Sequence, residues 1–152
     1  MPDSCQCGFK SLPGSLSGQH LLLLHGPTLL VRIGFDPNFI PGQRPNIPVD
    51  QIPALVDTGA YESYIDSQLA KQLALPIVDR LMCSGSAGRH EIDACLAHII
   101  VSGLDVNITG RFGAVKLSEG GQRHQALIGR TFLMHFKLTY NGSTGDVELS
   151  QP

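Results

Sequence analysis

The sequence predicts an all-β domain carrying one or two short helices. Seventeen glycines and ten prolines in 152 residues punctuate the chain with turn signals. The apolar runs between them are short and rich in β-branched residues, and no segment has the sustained period of a long amphipathic helix. The length suits one domain with a core of its own and is too small for two lobes. The expected division is a flexible lead-in over 1–18 and a folded domain over 19–152.

The lead-in holds Gly, Ser, Pro, Cys5 and Cys7 without apolar periodicity. Leu21, Leu22, Leu23 and Leu24, closed by His20 and His25, form the most apolar run; far shorter than the ~20 residues of a membrane span, it reads as a strand. Residues 29–33 read as the next strand, with Arg32 on the face opposite its apolar neighbours. Pro41, Pro45, Pro48 and Pro53 make the following stretch a long loop with at most a short edge strand. Pro53, Ala54, Leu55 and Val56 are apolar without alternation, as in a strand covered on both faces. A short helix is expected over 66–74, ended by the Leu75-Pro76 step. Residues 81–97 read as two strands joined through Gly85, Ser86, Ala87 and Gly88, a tip of small residues suited to a mobile hairpin. A further hairpin is expected from 97–101 and 105–108, then a strand over 112–117 ending at Gly120-Gly121. Residues 126–128 form a strand expected beside the one at 53–56, Thr131 opens a second short helix, and 136–140 with 147–149 make a terminal hairpin.

The chemistry concentrates at Asp57, Thr58, Gly59 and Ala60. A carboxylate at the end of a covered strand is only partly hydrated, so its protonation responds to its neighbours. Gly59 permits a tight turn and close approach of backbone or ligand, and the Thr58 hydroxyl can donate and accept across a symmetric contact. Asp-Thr-Gly is also a common turn tripeptide. The upstream strand, Ser63 and Ile65 downstream, and the later Ala126-Leu127-Ile128-Gly129-Arg130 set it apart from an ordinary turn.

With those two segments in this order, the chain resembles the retropepsin-like aspartic proteases over residues 20–150. The resemblance implies a single-lobe acid protease barrel with Asp57 as the catalytic acid and Thr58, Gly59, Ala60, Ile128, Gly129 and Arg130 supporting it. It implies that the 85–88 tip, Gly85, Ser86, Ala87 and Gly88, is a substrate-binding flap. Since that chemistry needs two acids and the chain has one such motif, it implies a homodimer with Asp57 from each chain, acting on a peptide or protein substrate without a cofactor. The chain departs from the family at Tyr61, where retroviral relatives carry an acid that pairs with the Arg of the second signature. Glu62 is then the acid expected to serve Arg130. Thr131 follows Arg130 in place of the usual acid or amide, and no tyrosine lies between residues 83 and 95.

Other chemistries find little support. Cys5-Gln6-Cys7 lacks the spacer of a zinc knuckle, and His90-Glu91 has no second His one helical turn on, so no metal is expected. There is no Gly-x-Ser-x-Gly elbow, and the Gly pairs are too sparse for a phosphate loop. A net charge of −2 with scattered basic residues indicates neither a nucleic-acid surface nor a membrane anchor. The N-terminus lacks a secretory layout, which favours the cytoplasm and free thiols; Cys83 and Cys95, across the 81–97 hairpin, are the pair that could form a disulfide clip. The alternative reading is a catalytically silent module of the same fold that binds peptides or dimerises a partner.

Overall fold

The computed structural model describes residues 3–86 and 88–152. Its strands are β1 (Ser4–Gln6), β2 (Thr28–Gly34), β3 (Ile52–Val56), β4 (Ser63–Asp66), β5 (Ile77–Gly85), β6 (Gly88–Val101), β7 (Val106–Val115), β8 (Ala126–Ile128), β9 (Lys137–Asn141) and β10 (Asp146–Ser150). Three short helices accompany them: α1 (Gly18–His25), α2 (Ser67–Gln72) and α3 (Arg130–Leu133).

Strands β2, β3, β8, β4, β7 and β6 pair in that order, and β6 pairs back onto β2 through Ile99↔Ile33, closing a six-stranded barrel. Ile65, Ile99, Ile128 and Val31 fill its interior and are fully buried. On β2, Leu29, Val31 and Ile33 are buried while Leu30 is exposed and Arg32 half-buried, the alternation expected of the strand. Strand β5 lies outside the ring, paired to the first half of β6. A separate sheet of order β1-β10-β9 caps the barrel, with Val147 and Leu149 fully buried beneath it.

Several expectations are corrected. Residues 21–24 lie in α1 and are not a strand. Leucine is a strong helix former, the Ser17 side chain accepts from the His20 N–H at 3.1 Å as an N-cap, and Gly26 at φ 72° closes the helix by donating to the Leu22 carbonyl. The lead-in contains β1, which pairs with β10, and its continuation is tied down by Cys7 N–H to Val147 O at 2.9 Å and Phe9 N–H to Gly145 O at 2.8 Å. The second strand expected within 81–97 and the strand expected at 97–101 are one continuous β6, which serves β5 with its first half and β2 with its second, and the strands expected at 105–108 and 112–117 are one β7. Cys83 faces His90 and Cys95 faces Ile77, so the two thiols do not oppose each other, and all four cysteines are free.

Candidate active site

Strand order explains where Asp57 sits. Strands β3 and β4 are consecutive in the chain, yet β8 lies between them, parallel to β3 and antiparallel to β4. Residues 57–62 must therefore cross over the end of β8, where Gly129 follows Ile128. The crossing is bonded at each step. The Asp57 N–H donates to Ile128 O at 2.9 Å, Arg130 N–H to Ala60 O at 2.9 Å, and Thr131 N–H to Tyr61 O at 3.0 Å. Ser63, buried at the start of β4, accepts from the Gly129 N–H through its hydroxyl at 2.9 Å. A side chain at 129 would run into the Glu62 carbonyl oxygen, so only glycine lets the loop pass this close.

The loop leaves Asp57 half-buried at the floor of a cleft of about 630 Å³, with Thr58 and Gly59 exposed beside it. The Gly59 N–H donates to Asp57 Oδ1 at 3.0 Å and fixes the carboxylate's rotation. One wall is built from Tyr64, Val115 and Leu127, the other from Leu81, Met82 and Cys83 of β5. Gly113 makes room for the Tyr64 ring, since a Cβ there would lie 2.7 Å from the ring carbon Cδ1. Burial pushes the Tyr64 phenol up from its ordinary value, and the Cys83 thiol with the Glu62 and Asp57 carboxylates adds to the shift. Tyr64 thus presents a neutral hydroxyl to the cleft.

Of the support residues, Thr58, Gly59, Ala60, Ile128, Gly129 and Arg130 all meet in the crossing. Arg130 does not serve Glu62: its Nη1 donates to Thr58 O at 2.8 Å and its guanidinium lies 6.0 Å from the Tyr61 ring centroid. Glu62 instead faces Arg111 at 3.7 Å. At the hairpin tip Gly85 pairs with Gly88, which adopts φ 95°, and Ser86 forms the turn. Ala87 lies outside the described residues. The cleft walls and the Ser63 bond were missed from the sequence; inward alternation of Ser63 and Ile65 was the available signal for Ser63.

No protein-family model matches the chain, and no curated protein sequence does. The solved structures to which the chain is similar include two retroviral proteases. For the simian foamy virus (mac) protease the TM-score is 0.45 at 12% identity, covering 70% of this chain and 91% of that one. For the EIAV protease complexed with the inhibitor HBY-793 the TM-score is 0.45 at 17% identity, covering 71% of this chain and 85% of that one. These similarities assign no residue a role. Among the described residues no group of three or more His, Cys, Asp or Glu is placed to hold a metal ion, and no helix is long and apolar enough to cross a membrane.

Proposed function

We propose that the protein is an aspartic endopeptidase in which Asp57 of two chains forms one catalytic pair. The observation that carries this reading is the placement of Asp57, a carboxylate held by Gly59 and Ile128 on the floor of an open cleft that the β5 strand overlooks. Two such carboxylates brought together cannot both ionise cheaply, so they share one proton. The ionised Asp57 takes a proton from water as the water oxygen attacks the peptide carbonyl carbon. The protonated mate donates to the carbonyl oxygen, giving a neutral gem-diol. Proton transfer to the amide nitrogen then accompanies cleavage of the C–N bond, and the products are a carboxylic acid and an amine. No covalent intermediate forms.

In this reading Thr58 hydrogen-bonds to its counterpart beneath the pair, Gly59 lines the path of the substrate backbone, and the β5–β6 hairpin is the flap that closes over an extended peptide and excludes water. Free thiols on a half-exposed Cys5 and Cys83 suit a reducing compartment, in keeping with the cytoplasm.

The test is cleavage of a mixed peptide pool by purified protein across roughly pH 3 to 8, with Asp57→Asn alongside. Asn keeps the acceptor for the Gly59 N–H and loses the shared proton, so activity is expected to fall at least about 100-fold with the melting temperature unchanged. Equal cleavage by the variant would remove Asp57 from the chemistry. A folded wild type that binds peptides and cleaves none would establish the silent binding module.

A further inference from the structure

Arg111 lies on β7 outside the active-site loop, yet it reaches both β5 and the segment that carries Asp57. Its Nη1 donates to Asp79 Oδ2 on β5 at 2.6 Å, and its Nη2 lies 3.7 Å from Glu62 Oε1, in the segment that carries Asp57. Strand register makes the reach possible. Asp79 is opposite Ala94, and Ala94 is opposite Gly113, two residues beyond Arg111 on the same face of β7. Leu96 is the direct partner of Arg111 on β6, and the adjacent row of Asp79 holds only the Ala94 methyl group and the bare Gly113, which leaves room for the guanidinium to reach β5 diagonally. On the same face of β5, two residues after Asp79, Leu81 enters the cleft wall. The parallel pairing of Ser63 with Phe112 brings Glu62 alongside Arg111 from the other side.

We propose that Arg111 is a positioning residue that holds the β5–β6 hairpin over the cleft, by joining Asp79 of the hairpin and Glu62 of the Asp57 loop on one guanidinium. What the closure accomplishes rests on the protease reading; the closure itself does not. Isolated exposed ion pairs contribute little to stability, but this one joins two elements that β6 and β7 otherwise separate, and without it two carboxylates lose their shared cation. The guanidinium fork serves both at once, which a lysine's point charge does less well. By contrast, Arg80 pairs with Asp93 at 2.8 Å and Glu91 at 3.6 Å, entirely within the hairpin.

The experiment is amide hydrogen exchange on the full chain, wild type against Arg111→Met, Arg111→Lys and Arg80→Met, with melting temperature as the check on folding. Arg111→Met is expected to speed exchange about fivefold both in the hairpin, residues 80–85 and 88–93, and in the loop, residues 58–62. Arg111→Lys should fall between it and wild type, and Arg80→Met should move the hairpin alone. Raised salt should reproduce the Arg111→Met pattern in the wild type. In an active enzyme Arg111→Met should raise KM with kcat held within about twofold. Wild-type exchange rates in folded Arg111→Met, acceleration in the hairpin without the loop, or an unchanged KM would each overturn the proposal. Acceleration of both segments in a chain that cleaves nothing supports the clamp and overturns the protease reading.

Discussion

Gly129 passes so close beneath the carbonyl of Glu62 that no Cβ fits between them. Around this contact the Asp57 N–H reaches Ile128 O and the Arg130 N–H reaches Ala60 O, both at 2.9 Å. The loop crossing is thus a backbone-bonded knot at the barrel's edge, and the position of Asp57 follows from it.

Gly129→Ala should therefore damage stability and site together. The methyl group would also lie 3.0 Å from Ala60 O, and neither obstacle is a flexible side-chain end. A loss of about 1–3 kcal/mol is expected from urea denaturation, as for overpacking of a rigid site. Alanine at the open Gly110, where a Cβ meets nothing within 4 Å, should be near neutral and serves as the control.

Much of this site was legible because its parts are local: a covered strand ending in Asp-Thr-Gly, and an apolar pair ending in Gly-Arg. What was not legible depends on partners distant in the chain. Glu62 and Arg130 looked like a pair by motif, but the parallel β4–β7 register delivers Arg111 to Glu62 and leaves Arg130 to Thr58 O. Tyr64, Leu81 and Val115 line one cleft only because β4, β7, β6 and β5 lie in that order. The four leucines of α1 have no period to read; the Ser17 cap and Gly26 stop decide for helix, and both signals were in the sequence. The terminal hairpin was recognisable from its Asn141-to-Gly145 turn, whereas β1 could not be found from its own composition because β10 supplies its partners.

Asp66 gives a prediction with a definite sign. Burial acts to raise its pKa, but hydrogen bonds from the Ser118 backbone and hydroxyl, with those from Leu69 and Leu117 N–H, outweigh burial and hold it below the ordinary value. A depressed carboxylate stabilises the fold fully above its unfolded pKa of about 3.9, and that contribution is lost as pH falls through the folded value. Asp66→Ala removes the α2 cap and strands the Leu69 and Ser118 N–H groups, while Leu117 N–H keeps Val115 O, so it should cost about 2–4 kcal/mol at neutral pH. Denaturation at a series of pH values should show the gap from wild type closing below about pH 4.

His124 works in the other part of the pH range. The Thr28 hydroxyl donates to Gly26 O at 3.1 Å, so at its 2.8 Å contact with His124 Nε2 it must accept. Nε2 therefore carries the proton, and the buried Nδ1 is a bare nitrogen that finds no partner among the described residues. Burial holds the pKa below the ordinary value, with Arg123 and His25 adding to the shift. The folded state then binds fewer protons than the unfolded one, and stability should begin to fall as pH drops below about 6.5. Melting curves between pH 7.5 and 5 should show a smaller acid-side drop in His124→Gln than in wild type; an equal drop would place the sensitive group elsewhere.

The shared site makes the strongest demand on the proposed function. One Asp-Thr-Gly in a single barrel supplies one carboxylate, and the mechanism uses two, so specific activity should fall on dilution as chains separate. Refolding equal amounts of wild-type and Asp57→Ala chains together should put about a quarter of the dimers in the all-wild-type state, if the interface is isologous and association random. Half of the wild-type chains then sit opposite a partner without the acid, and activity per wild-type chain should drop to about half. Native mass spectrometry of differently tagged chains would establish that mixed dimers form. Undiminished activity per wild-type chain in their presence would mean that each barrel cleaves alone, and Asp57 would then need a second acid from its own chain.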